Sequence, residues 1–277
     1  MLLGVHCSIR GGLQNAFREA TSLGIDTFQI FTKNQRQWKE KTVDSEEKSI
    51  FLDRFKNSNV KMIFSHAPYL INLASGNASI WKKSVHALIG EIQRCHELGL
   101  VFSVLHPGSA KGLSTEDGIT NIIKALKRVL SATKNVMVKI LLENTAGQGS
   151  SIGYRFEHLR KIMDEVDSKR IGVCFDTCHA FAAGYYMRTK TGFEATIEKL
   201  DSIVGLEHLH AIHLNDSKGE LDSKLDRHEH IGKGKLGLEP FRQIMRRFPH
   251  IPKVIETPKE DKTDAVNLEI LRKLSRV

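Results

Sequence analysis

The sequence predicts an α/β fold in one domain over residues 1–277, a single (β/α)8 TIM barrel. Three observations carry that expectation. Strand-like and helix-like runs alternate to the end of the chain, which argues for a parallel sheet, and they make eight units, which argues for closure. Six strand-like runs each finish on a residue able to bind a metal: MIFS runs into His66, VFSVL into His106, KILL into Glu143, IGVCF into Asp176, AI into His213 and KVI into Glu256. In a parallel barrel the strand C-termini and the loops after them build the site, so these ends bring distant donors to one mouth. Finally, 277 residues is the usual size for such a barrel, and no Pro/Ser/Gly-rich linker or break in composition divides the chain.

The elements follow in order. Leu2–His6 reads as the first strand, and the helix after it carries Leu13, Ala16, Phe17, Ala20 and Leu23 at helical spacing. Thr27–Phe31 is the second strand, and Asp44 with Glu47 makes a capping box before the next helix. Met62–Ser65 is the third, with a long helix around Ile80–Leu98; Val101–Leu105 is the fourth, with a helix near Asp117–Leu130. Lys139–Leu142 and Ile171–Phe175 are the fifth and sixth, with a helix at Phe156–Asp164 between them. A helix near Phe193–Val204 precedes the strand ending at Leu214. Gly237–Arg247 reads as helix, Lys253–Glu256 as the last strand and Asp261–Ser275 as the closing helix. The longest irregular stretch, Asn215–Gly237, holds DRHEHIGKGKLG, and a loop of that length in a compact domain is usually functional or disordered.

The formal charge of +9 favours an anionic partner such as nucleic acid, phosphate or acidic lipid, although a basic surface also serves solubility. No stretch approaches the roughly 18 apolar residues of a membrane helix, and MLLGVHCSIRGG lacks the basic and apolar regions of a signal peptide. The expectation is a cytoplasmic protein with no membrane partner. Cys7, Cys95, Cys174 and Cys178 are too few and too scattered for a disulfide framework and read as small buried hydrophobes.

His66, His106, His179, His213 and His228 offer imidazole, and Glu143, Asp176, Asp226 and Glu256 offer carboxylate. Asp176 and His179 are three apart, so one helical turn puts both on one side. Asp226 and His228 are two apart, so an extended segment points both to one face. Any single one of these histidines is more often a hydrogen-bonded structural residue or a surface residue; the set reads as metal. A His/carboxylate shell without Cys suits catalytic zinc, and also manganese or iron. Nine ligands exceed one ion, and with a bridging carboxylate they hold two or three. Four carboxylates against three divalent ions leave a positive site that attracts phosphate, and paired ions activate a water for in-line displacement. Metal-assisted phosphodiester hydrolysis follows as the reaction class. His6 lies near the mouth as a supporting residue.

FTKNQRQW after the second strand mixes cations (Lys33, Arg36), amides (Asn34, Gln35, Gln37) and Trp38; cations bind phosphates and amides bond base edges. Tyr69 and Leu70 in SHAPYLIN could wedge into a base stack, or simply pack the loop. Gly232, Gly234 and Gly237 match GxGxxG, but a polar DRHEH run precedes them instead of a strand, so the dinucleotide reading fails. Lys233 and Lys235 remain phosphate candidates.

GVHCSIRGGL, FTKNQRQW, LENTAGQG, FDTCHAFAAGY, HLNDSK with DRHEHIGKG, and ETPKED resemble the endonuclease IV family of apurinic/apyrimidinic endonucleases over essentially the whole chain. The resemblance implies three zinc ions per chain. His66, His106 and Glu143 would hold the first. Glu143 would bridge to a second, held with Asp176, His213 and Glu256, and His179, Asp226 and His228 would hold the third. It implies cleavage of the phosphodiester 5′ to an abasic site in double-stranded DNA, leaving a 3′-hydroxyl, together with clearing of blocked 3′ ends, by a monomer. Glu143 would orient the attacking water, and Arg36, Tyr69 and Leu70 would penetrate the duplex. Two positions depart from the family pattern: Tyr186 replaces an Asp, and Asp222 replaces a Gly. The rival readings are a metal-dependent sugar isomerase or epimerase on the same barrel, and a damaged-DNA-binding protein without turnover.

Overall fold

The computed structural model describes residues 1–260 and 262–276. Eight parallel strands close the barrel: β1 Leu3–His6, β2 Thr27–Ile30, β3 Met62–His66, β4 Phe102–Leu105, β5 Lys139–Glu143, β6 Ile171–Asp176, β7 Leu209–His213 and β8 Lys253–Ile255. Each pairs with its sequence neighbours, and β1 pairs with β8. The helices are α1 Asn15–Leu23, α2 Ser45–Lys56, α3 Ala78–Glu97, α4 Thr115–Ala132, α5 Phe156–Val166, α6 Thr177–Ala182, α7 Lys190–Ile203, α8 Glu239–Arg247 and α9 Thr263–Arg276. The eight expected strands and eight expected helices appear in the expected order; α6, right after β6, is an additional helix where the sequence reading placed only a single turn. No helix among the described residues is long and apolar enough to cross a membrane.

The differences lie at element ends. α8 begins two residues later than the sequence reading because Gly237 has φ +80, which no right-handed helix accommodates. The predicted start of the last helix, Asp261, lies outside the described residues; α9 runs from Thr263. The capping box at α2 is half formed. Asp44 accepts from the backbone N–H of Glu46 and Glu47 at 2.9 Å, but the Glu47 carboxylate turns away to the Leu13 N–H and to Lys41.

Side-chain alternation along the strands fixes where the site stands. One small apolar cluster fills the barrel lumen: Phe64, Val104, Leu141, Cys174, Ala211 and Val254, one from each of β3 to β8. The residues between them face outward into the larger core under the helices. Alternation has period two, so the residue two places beyond each lumen residue also points inward, one layer nearer the mouth. Those residues are His66, His106, Glu143, Asp176, His213 and Glu256. Four of these donors thus ride on the strands of the scaffold, and His106 and Glu256 sit one residue beyond theirs, directly above the apolar filling.

Candidate metal centre

The nine donors predicted from the sequence come together in three groups, with ligand atoms within 4.8 Å of one another in each: His66, His106 and Glu143; Glu143, Asp176, His213 and Glu256; and His179, Asp226 and His228. Glu143 belongs to two groups because its oxygens diverge. Oε2 lies 3.2 Å from His66 Nε2 and 3.0 Å from His106 Nε2, while Oε1 lies 2.8 Å from His213 Nδ1. His213 Nδ1 also faces Glu256 Oε2 at 3.2 Å. In the third group His179 Nε2 lies 3.1 Å from Asp226 Oδ1 and 3.4 Å from His228 Nε2.

The ring orientations test whether these residues fit a cation. His66 places Nδ1 2.7 Å from the Ala67 carbonyl, His179 places Nδ1 2.9 Å from the Asn144 carbonyl, and His228 places Nδ1 3.1 Å from the Glu256 carbonyl. A carbonyl only accepts, so each of those nitrogens carries the proton and each Nε2 turns a lone pair to its group. His213 is reversed: Nε2 lies 2.9 Å from Gln29 Oε1, which leaves Nδ1 facing the carboxylates. Lone pairs then meet carboxylate oxygens, and the two Nε2 atoms of His179 and His228 meet each other. Only a cation or an extra proton between them makes that arrangement favourable, and metal-bound histidines are held in this way. Without metal, protons do the work. Burial opposes charge on His179 and His213, but Asp176 and Asp226 beside the first, and Cys174, Glu256 and Glu143 beside the second, hold both well above the ordinary imidazole value. Burial likewise pushes the Glu143 carboxyl up, and His213 and His106 overcome it and hold it well below the usual range. Metal binding here displaces protons.

Several residues that fix the donors were not singled out in the sequence. Gln29, fully buried on β2, accepts from His213 and donates Nε2 to Glu256 Oε1 at 2.6 Å. Asn215 donates to Asp176 Oδ2 at 2.6 Å and accepts from the Glu256 N–H at 2.8 Å. Asn144 accepts from the Asp176 N–H at 2.8 Å. Asp176 Oδ1 caps α6 by accepting from the His179 N–H at 2.7 Å, which is why the three-residue spacing works. The one signal for Gln29 was an amide inside the apolar run TFQI. His6, expected to be supporting, stands with Nδ1 2.9 Å from Gln29 Nε2. Cys178 shares a space with Asp176 and His228, but its thiol is directed at the Arg227 carbonyl at 3.6 Å and burial pushes its pKa to about 12, so it stays protonated.

The irregular stretch after β7 is ordered around one carboxylate. Asp216, fully buried, accepts at Oδ1 from the N–H of Ser217 (2.8 Å) and Leu236 (2.9 Å), and at Oδ2 from Gly232 (2.9 Å) and Gly234 (3.1 Å). A Cβ on Gly234 would lie 2.4 Å from the Ser217 carbonyl and 2.5 Å from Asp216 Oδ1. The glycine-rich run thus wraps an anion of its own chain. Asp216–Ser217 also pairs antiparallel with His228–Glu229, opposing Ser217 to His228. Gln148, in the turn made by Gly147 and Gly149, accepts from the Asp226 N–H at 3.1 Å.

At the rim, Arg36 is exposed on the loop after β2, Tyr69 is 57 % exposed after β3, and Leu70 beside it is half-buried. Lys33 departs from expectation: it is buried, and its ammonium donates to the Gln37 and Lys39 carbonyls, so it does not face solvent as a phosphate-binding cation would. Asp222 adopts φ +61, a conformation glycine takes without cost, and pairs with Lys224 at 2.5 Å. Tyr186 is exposed and lays its ring against Gly192.

The family described as xylose isomerase-like TIM barrel matches residues 17–274. A protein of Citrifermentans bemidjiense named probable endonuclease 4 is 47% identical over 278 residues, covering 99% of this chain and 98% of its own length. The chain belongs to the endonuclease IV family. The solved endonuclease IV from Thermus thermophilus superposes with a TM-score of 0.87 at 35% identity, covering 99% of this chain and 98% of that one. A D-tagatose 3-epimerase-like protein superposes at 0.78 with 23% identity, covering 99% and 97%, which shows the shared barrel alone.

Proposed function

We propose that this chain is a zinc-dependent apurinic/apyrimidinic endonuclease, one catalytic domain acting as a cytoplasmic monomer. It hydrolyses the DNA phosphodiester 5′ to an abasic site to leave a 3′-hydroxyl, and it clears blocked 3′ ends. The observation that carries the reading is the carboxylate of Glu143, shared between two groups of donors with a third group alongside. A site for one ion, as a sugar isomerase or epimerase usually needs, gives no reason for nine converging donors.

The residues divide as follows. His66 and His106 with Glu143, then Glu143 with Asp176, His213 and Glu256, then His179, Asp226 and His228 would hold three zinc ions, with manganese or iron as substitutes. Bound there, such ions supply Lewis-acid stabilisation of a phosphodiester and a lowered pKa for water. Glu143, fully buried, would orient the attacking water in line with the scissile bond. Arg36, Tyr69 and Leu70 hold the opened duplex at the rim, by charge on phosphate and by an aromatic–aliphatic wedge. The +9 charge draws the duplex to the mouth in a salt-dependent manner.

The test is incubation with a duplex carrying one abasic site, paired with metal analysis of the purified protein. The expected result is a nick whose 5′ fragment primes a polymerase directly, from protein holding three zinc ions. Bound but uncut duplex would support a binding protein instead, and one ion per chain would support a sugar-converting enzyme.

A further inference from the structure

The loop from Phe31 to Asp44, which carries Arg36, has no regular secondary structure, yet its base is buried in a cluster of four charges. Arg94 on α3 reaches into it with three nitrogens. Nε donates to Thr32 Oγ1 at 2.8 Å, Nη1 to Glu40 Oε2 at 2.5 Å and Nη2 to Glu91 Oε2 at 2.9 Å. Thr32 donates in turn to Glu91 Oε2 at 2.6 Å. From the loop itself, Lys33 donates to the carbonyls of Gln37 (2.6 Å) and Lys39 (3.2 Å) and pairs with Glu40 Oε1 at 3.3 Å. The Lys33 bonds therefore reach past Arg36 and tie the two ends of the turn that displays it. Glu40 comes this close because residue 90 on α3 has no side chain: a Cβ on Gly90 would lie 2.4 Å from Glu40 Oε2.

Two cations and two carboxylates give no net charge, and a buried ionic cluster contributes little stability that apolar packing would not. Its distinctive property is direction. Each bond fixes an angle, and together they pin one loop conformation while leaving the Arg36 side chain exposed. The start of the loop also abuts the other rim residue, since the Phe31 ring lies 5.8 Å from that of Tyr69.

We propose that Lys33, Glu40, Glu91 and Arg94 form a clamp that holds the Arg36 loop in the shape that receives the duplex. They are positioning residues that set substrate affinity without touching substrate. The proposal rests on the endonuclease reading above. Arg94→Lys keeps the charge but cannot span Thr32, Glu40 and Glu91 at once. Gly90→Ala displaces Glu40 while raising helix propensity, so the fold is retained.

The experiment compares wild type with both variants in four readouts: KM and kcat on an abasic duplex, kcat on a small aryl phosphodiester that reaches only the metal centre, zinc per chain, and tryptic cleavage at Arg36, Lys39 and Lys41. The expected result is a KM for duplex raised about tenfold, of the order expected when ordering shifts from the free protein to the binding step. Duplex kcat, small-diester turnover and zinc content should stay near wild type, with faster cleavage of the loop. Unchanged duplex KM, or an equally protected loop, overturns the clamp. A loss of zinc or of small-diester turnover also overturns it, because the cluster would then be supporting the barrel and not the loop. If wild type leaves the abasic duplex untouched, the endonuclease reading falls and the clamp's link to affinity falls with it; faster loop cleavage in the variants would distinguish that failure from a loop that was never clamped.

Discussion

Replacing Asp216 by Asn changes one atom and keeps the shape, and its cost follows from the four bonds at that carboxylate. Each oxygen accepts two backbone N–H groups, Ser217 and Leu236 on Oδ1, Gly232 and Gly234 on Oδ2. Whichever way an Asn amide turns, its NH2 faces two donors. Asp216 is fully buried, so water does not replace the lost acceptor. Two bonds to a charged acceptor are worth about 1.5–3 kcal/mol each, which gives about 3–6 kcal/mol. At roughly 2–4 °C per kcal/mol for a domain approaching this size, melting falls by about 6–24 °C. The same strand pairing orders His228, so metal affinity at the His179, Asp226 and His228 group should fall as well. Far-UV circular dichroism melts of metal-free protein read the first effect, and zinc per chain after dialysis reads the second, with a drop from three towards two. A variant that melts within about 2 °C of wild type, less than 1 kcal/mol on this scale, and keeps all its zinc would refute the reasoning, because the carboxylate would not then be organising the loop.

Other perturbations separate the parts of the site. Glu143→Gln should lower nicking about 10²-fold or more, the order seen on losing one preorganised polar group, while duplex binding in a gel-shift assay persists; undiminished turnover would remove Glu143 from the chemistry. Gln29→Leu leaves His213 Nε2 and Glu256 Oε1 without their partner, and chelator competition should show metal affinity lower by about 10- to 100-fold; equal affinity would mean that the amide orients nothing. His210 gives a pH signature away from the metal centre. It stacks on Phe102 and takes a hydrogen bond from Lys139 at 3.1 Å, and burial, then the Lys139 charge, lowers its pKa from 6.5 to about 4. The folded value lies below the unfolded one, so the unfolded chain binds the proton first and stability falls as pH drops from 6.5 towards 4. The ring is only half-buried, so the effect is modest. Melts of metal-free wild type and His210→Gln over that window should show a shallower slope for the variant, and identical slopes would dismiss the histidine as a source.

The position of the donors at strand ends is what made the site legible. An apolar run closing on a donor, as KILL closes on Glu143 and MIFS on His66, puts that donor at the C-terminal mouth of a parallel barrel, while its inward direction shows only in the structure, from the lumen residues Leu141 and Phe64 two places earlier. His179 was legible through one helical turn from Asp176. Gln29, Asn144 and Asn215 were not, because a buried amide earns its role from partners that lie far away in sequence: Gln29 bonds residues 184 and 227 positions away. Lys33 reads as a free cation until the fold turns it back on its own loop. The GxGxxG match from Gly232 to Gly237 fails as a dinucleotide motif for want of a strand before it, and only the tertiary structure reveals what the glycines do instead: the N–H groups of Gly232 and Gly234 hold Asp216. Glu47 fits a capping pattern, but Leu13, 34 residues earlier, offers its backbone N–H instead.

The lumen filling has a consequence for exchange. Phe64, Val104, Leu141 and their neighbours form a dry floor beneath the donor ring, so traffic from below is blocked. Ions and solvent would then enter through the upper opening, flanked by the loops that display Arg36 and Tyr69. A duplex resting on those loops would stopper the vessel, and a chelator should strip zinc from the free protein faster than from the protein seated on DNA.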